Sequence, residues 1–221
     1  MSIQKECADH LRQNHRIQAG GKPGAGHAHE IVAAYFGYGS GAALRAETKH
    51  PLTDLEQAEI LIPDLGRMDQ RVQALQGLPA GLTSVDDLAS QISEFLKTSG
   101  YFSGKVWYTR DLAEYISETF IQEQSMQIED DMSGAIASTN AYFDELYVEE
   151  VDLQDTGDLL VAQVSGSLNG ENDPDRAFHG DSIAFTTVVT FRRLAGRVAY
   201  EAPEVETSGA VDDSAYYEED A

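Results

Sequence analysis

Between Arg110 and Arg176 the chain contains no lysine or arginine, while 17 aspartates and glutamates fall in the same interval. Whatever this interval folds into must leave its carboxylates in water, because burying an unpaired charge is prohibitively costly. The interval is nevertheless patterned for folding. After about residue 130 the apolar period becomes two: Leu160, Ala162, Val164 and Leu168 alternate with polar residues, as do Ile183, Phe185, Val189 and Phe191. Segments 143–153, 158–169, 182–194 and 197–206 therefore read as four strands. Their connections are Asp155-Thr-Gly-Asp158, the long loop 169–181 and the tight Leu194-Ala-Gly-Arg197. The expectation is an antiparallel meander with one buried face that needs helices to cover it.

The preceding sequence has helical spacing. Ile3, Cys7 and Leu11 form a narrow apolar stripe over residues 2–15, and Ala19 to Gly26 is a flexible connector. Two short helices are expected near 27–36 and 41–48, broken by Gly37-Tyr38-Gly39. Leu65, Met68, Val72 and Leu75 carry a further helix after Pro51 and Pro63. A helix starting at Thr83 or Ser84 has Asp86 and Asp87 at its positive end, buries Val85, Leu88, Ile92, Phe95 and Leu96, and stops at Gly100. Another runs from about 110 to 124, with Leu112, Ile116 and Phe120 on one face and Asp111, Glu114 and Glu118 on another. The fold class is thus α+β, divided into a helical region at 1–100, an acidic α+β region at 101–207 and an acidic mobile tail at 208–221.

Composition sets the bounds on function. The formal net charge is −23, and residues 1–100 hold 9 Lys+Arg against 12 Asp+Glu while residues 101–221 hold 6 against 26. Such asymmetry signals a charged partner or a solubilising, salt-adapted surface. Apolar runs such as Ile31 to Phe36 are far shorter than the roughly 20 residues that span a bilayer. The first residues lack a signal-peptide apolar region, and Cys7 is the only cysteine, which leaves no internal disulfide and no cysteine-based zinc site. A cytoplasmic protein with no membrane association is expected.

The stretch Gly26-His-Ala-His-Glu-Ile-Val-Ala-Ala-Tyr-Phe-Gly-Tyr38, continuing to Ala43-Leu44, resembles the small helical unit at the N-terminus of some glyoxalase-related proteins and of plasmid-encoded proteins of unassigned role. The matching positions are His29 or His27, Ile31, Val32, Ala33, Gly37, Tyr38 and Leu44. Gly41 or Ala42 stands where that unit usually has an aromatic. The resemblance covers about 26–47 and implies a helix, a glycine-aromatic break and a second short helix. It carries no glyoxalase activity, since paired βαβββ units with metal-ligating His and Glu on strands have no counterpart here.

Other candidate sites read as structural. His27 and His29 lie two apart on a helix, so their rings diverge, and capping and packing is the favoured reading over metal binding. The oxygen-rich loop Asn169 to Arg176, ending His179-Gly-Asp181, has Pro174 interrupting any calcium-loop alternation, and reads as a polar hairpin loop. Cys7 and His10 share a helix face without an orienting group or oxyanion donor, so Cys7 reads as a core residue. No nucleophile-elbow, phosphate-loop, dinucleotide or zincin motif is present. No cofactor, metal or catalytic residue is expected.

The acidic array remains. DNA phosphates repeat about every 7 Å along a strand, and alternate β residues about every 6.7 Å. Asp111, Glu114 and Glu118, with Glu145, Glu149, Glu150 and Asp152, are candidate partner-binding residues on such rows. The expected function is a non-enzymatic acidic protein that binds a basic surface of a nucleic-acid-processing partner, as a DNA mimic of anti-restriction or anti-CRISPR type would. The expected partner is a basic protein or nucleoprotein complex, with no direct nucleic-acid binding. The alternatives are an accessory or adaptor protein of a plasmid or other mobile element, and a metal-dependent enzyme whose site the sequence does not reveal.

Overall fold

The computed structural model describes residues 2–19, 23–79, 81–139, 141–171 and 182–212. The chain is α+β and forms two compact units, one of residues 1–110 with 191–202, the other of 111–190 with 203–221.

Unit 1 is mainly helical. Helices α1 (Ile3–Ala19), α2 (Ala25–Tyr35), α3 (Gly41–Arg45), α4 (Leu65–Ala74) and α5 (Val85–Thr98) surround a core that includes Leu11, Ile31, Tyr35, Phe36, Leu61, Met68, Leu88 and Ile92. The local signals explain their ends. Ser84 caps α5 by accepting from the Asp87 amide at 3.1 Å, and Gly100, at φ 75°, closes the helix in a conformation that costs a glycine little. Gly37, at φ 84°, makes the break between α2 and α3. A small sheet completes the unit: β1 (Ile60–Leu61) pairs parallel with β2 (Lys105–Val106) and antiparallel with β6 (Ala199–Tyr200), which pairs with the last residues of β5 (Ser182–Ala195). The short strands β1 and β2 lack alternation long enough to register as strands in the sequence, and β1 puts β structure inside the region 1–100 expected to be helical.

Unit 2 is the acidic one. It opens with α6 (Leu112–Tyr115), a π-helical segment at Ile116–Phe120, then α7 (Ile121–Glu123), α8 (Ser125–Asp131) and α9 (Ser133–Ser138). The single helix expected over 110–124 is therefore broken by the π segment, and helical structure continues to Ser138. The long strands follow: β3 (Tyr142–Asp155), β4 (Leu159–Glu171), the Ser182–Thr190 part of β5, and β7 (Glu204–Val211). β3 pairs antiparallel with β4, β4 neighbours β5, and β7 pairs antiparallel with β5. The fourth expected strand is split into β6 and β7 around Pro203, which has no N–H to give to the ladder. Residues 208–211, expected in the tail, continue β7 and pair with Ile183 to Thr186. Of the polar loop expected over 169–181, residues 169–171 belong to β4, and 172–181 lie outside the described residues, as does the tail from residue 213.

One face of this sheet is buried. Leu160, Ala162, Val164, Leu168, Ile183, Phe185 and Val189 point inward with Ile116, Phe120, Ile128 and Met132 from the helices among the buried residues. Gly166 and Gly209 mark the tightest approaches on that face. A Cβ at Gly166 would lie 2.6 Å from the Phe185 ring, and one at Gly209 would lie 2.6 Å from Met132 Sδ. The contact with Met132, at the end of α8, places the helical cover on the inner face.

Candidate acidic interface

The division into units sharpens the charge asymmetry. Unit 1 contains 14 Lys+Arg and 13 Asp+Glu, whereas unit 2 contains 25 Asp+Glu and a single cationic Lys or Arg, Arg176. The described residues of unit 2 include no lysine, arginine or histidine. Arg110, the last residue of unit 1, is committed within that unit. Its guanidinium donates to Asp86 at 2.8 and 3.0 Å and to Asp69 at 3.0 Å, which holds the Asp86 carboxyl below its ordinary pKa.

Strand β3 carries four of the expected residues. On an unbroken strand Glu145 and Glu149 would share one face while Glu150 and Asp152 pointed to the other. The pairing with β4 instead shifts register between Phe143 and Glu145, and again between Val148 and Glu150. An extra residue at such a bulge reverses the alternation that follows it. Glu145 then stands opposite Asn169, Tyr147 opposite Ser167, Glu150 opposite Ser165, and Asp152 opposite Gln163. Exposure follows this phase: Glu145, Tyr147, Glu149, Glu150, Asp152 and Gln154 are exposed, while Leu146, Val148, Val151 and Leu153 are half-buried. The bulge thus gathers the β3 acids onto the outer face. Tyr147 donates its hydroxyl to Glu145 Oε2 at 2.5 Å along this row.

The opposite side of the same face has a second acidic row that the sequence reading missed. In β7, Glu204 pairs with Thr190 and Glu206 with Val188, and both glutamates are exposed. The outward signal was available as the alternation Glu204, Glu206, Ser208, but the expected strand ended at residue 206. Between the rows, the outward residues of β4 and β5 are uncharged: Gln163, Ser165, Ser167, Thr186, Val188 and Thr190.

The helical acids are arranged differently. Asp111 is not part of a regular helical row. It is the N-cap of α6, and its Oδ1 accepts from the Glu114 amide at 3.1 Å. The π segment between Glu114 and Glu118 changes the angular step from that of an α-helix, so the i, i+3, i+7 spacing does not carry through. All three residues are exposed, and α6 and the π segment pack on β3. The helical and strand acids therefore flank one strand as two separate sets.

The other candidate residues, Cys7, His10, His27 and His29, lie in unit 1. Cys7 is buried, and burial pushes its thiol up to about 12, which removes the thiolate a nucleophile requires. His10 stacks on Phe95 at 4.6 Å between ring centroids, and burial lowers its pKa. His27 and His29 both lie on α2, and no group of three His, Cys, Asp or Glu among the described residues is placed to hold a metal ion. Among the described residues no helix is long and apolar enough to cross a membrane. No protein-family model, curated protein or solved structure matches the chain.

Proposed function

We propose that unit 2 is a non-enzymatic acidic module that binds a basic surface on a nucleic-acid-processing partner, standing in for the phosphates that surface normally holds. The observation that carries this reading is segregation. One unit of the chain holds 25 acidic residues and one arginine, while the other is nearly balanced. A general demand for solubility acts on both units and gives no reason to remove lysine from only one. The bulge in β3 supports the same reading, because it brings Glu145, Glu150 and Asp152 onto one exposed face, with Glu150 and Asp152 about 6.7 Å apart and Glu145 two steps, about 13 Å, from Glu150 across Tyr147.

In this reading the protein acts in the cytoplasm, and a basic protein or nucleoprotein complex of a defence system such as restriction or CRISPR machinery is the natural partner class. Its anionic surface repels nucleic acid itself, so inhibition proceeds by occupying the groove.

The test is displacement of labelled duplex DNA from a basic nucleic-acid-binding protein as salt is raised. Displacement at low salt that disappears as salt rises above about 0.2 M is expected, since screening shortens the reach of exposed charges to about 8 Å or less. Reversing Glu145, Glu150 and Asp152 to lysine removes the effect. Displacement indifferent to both salt and charge reversal refutes the reading.

A further inference from the structure

The outer face of the unit 2 sheet is a platform with two charged borders and an uncharged middle. β3 and β7 carry the acidic borders, and β4 and β5 lie between them. With strands about 4.8 Å apart, three spacings put the borders about 14 Å from each other. The middle consists of Gln163, Ser165 and Ser167 on β4 and Thr186, Val188 and Thr190 on β5, of which Gln163 is exposed and the others are half-buried. Helical cover lies on the inner face, through the approach of Met132 to Gly209.

Resting on the reading above, we infer that this face is the docking surface, and that its occupant is an α-helix of the partner with lysines or arginines along both flanks and an uncharged spine. An α-helix with its side chains is about 10–12 Å wide, so it fits between the borders and reaches each with long cationic side chains. The same kind of helix occupies the DNA major groove, which is about 12 Å wide with a phosphate strand on either side. Hydroxyls and amides in the middle take the place of base edges, desolvating at lower cost than carboxylates. Sheet twist splays the borders by about 20–25° per strand, so a straight helix meets both rows only near the centre of the sheet. Glu150 and Asp152 on one side and Glu204 and Glu206 on the other are the anchoring carboxylates. Tyr147 adds an exposed ring for a guanidinium to stack on.

The experiment uses the full chain and a synthetic helical peptide with arginines along both flanks and an alanine spine, measured by fluorescence anisotropy at low salt. Each variant is first checked for an unchanged circular-dichroism spectrum and melting temperature. The quadruple variant Glu150→Gln, Asp152→Asn, Glu204→Gln, Glu206→Gln is expected to bind about tenfold or more weakly, because it removes four charge pairs worth up to about tenfold each in affinity when partly desolvated.

The pair Ser165→Glu with Thr186→Glu provides the decisive contrast. It makes the protein more negative, yet fills the middle of the platform, so binding is expected to weaken about threefold or more if the helix docks there. Equal or tighter binding by that pair overturns the inference and leaves a general acidic ligand standing. So does a loss from neutralising Asp111, Glu114 and Glu118 that equals the loss from the quadruple variant. A wild-type chain that fails to bind the peptide at low salt overturns both the inference and the function it rests on. If the Ser165/Thr186 pair does not fold, Thr186→Glu alone is read by the same criterion.

Discussion

Substituting Gly166 by alanine tests the packing that sets the phase of the acidic row. Gly166 pairs with Val148, one residue before the register shift that turns Glu150 and Asp152 outward. A Cβ at this position would lie 2.1 Å from the Tyr147 carbonyl oxygen and 2.6 Å from the Phe185 ring. Phe185 can tilt, but the Tyr147 carbonyl belongs to the neighbouring strand and moves only with the backbone of β3. Overpacking in a filled core costs about 1–3 kcal/mol, and a clash with backbone belongs at the upper end. For a chain of this size each kcal/mol lowers the melting temperature by about 2–4 °C, so a fall of about 6–12 °C is expected by calorimetry. Gly134→Ala, in α9 with open space at its Cβ, is the control and should hold or slightly raise the melting temperature. Because β3 must shift to admit the methyl group, Gly166→Ala should also weaken binding to a basic partner under conditions where it stays folded. A melting temperature within about 1 °C of wild type would refute the claim that this contact fixes β3 on β4.

Glu47 accepts from the Tyr38 hydroxyl at 2.7 Å and from the Lys49 and His50 amides, and these bonds, the tyrosine's first, hold its carboxyl down at about 2. A lowered folded-state pKa contributes stability above the unfolded value and loses it as pH falls toward 2; after discounting for solvent screening, Glu47→Gln should cost about 1–2 kcal/mol at pH 7, with the difference shrinking below pH 4.5, read by fluorescence of the single tryptophan, Trp107. Cys7 should resist thiol reagents at pH 8 in the folded protein and react at once in denaturant, since burial pushes its pKa up to about 12; rapid native labelling would contradict its core placement. Glu150→Lys should raise the melting temperature by about 1–3 °C through relief of like-charge repulsion while weakening the basic-partner interaction, and a stabilised variant that binds as well as wild type would separate the acidic row from binding.

The helices and the long strands were legible because their apolar spacing is strong over many residues. Val85 to Leu96 fits one helical face, and Leu160 to Leu168 fits one strand face, and the structure buries both sets apart from Phe95, which is half-buried. Ser84 and Gly100 announced their helix ends for the same local reasons that operate in the structure. What was illegible depends on residues distant in sequence. β1 and β2 are two residues each and exist only through pairing with each other and with β6, so no local period could reveal them. The π segment at Ile116–Phe120 keeps Ile116 and Phe120 buried, as the helical reading expected, while altering the spacing of the exposed acids. The β3 bulge was hidden in the same way. Glu149-Glu150 looks like an ordinary polar pair until β4 supplies the register that decides which way each side chain faces. The candidate interface was therefore legible as a set of acidic residues but not as a surface.

That surface runs against the folding interest of the unit that carries it. Two carboxylates about 6.7 Å apart repel by about 0.6 kcal/mol in bulk water, before screening by salt. Each neighbour along a row adds a cost of that order, and a lysine at any alternate position would turn the cost into a gain. Repulsion alone thus favours mixed charge on the sheet, and it explains at most why the acids avoid the two central strands, where neighbours would stand about 4.8 Å away on both sides. It cannot account for a unit with 25 acids and a single arginine beside one with 14 basic and 13 acidic residues. Both units share one solvent and one salt concentration, so adaptation to the medium would have marked them alike. Under the proposed function that cost is borne for binding, and a basic partner would return the lost energy when it neutralises those rows.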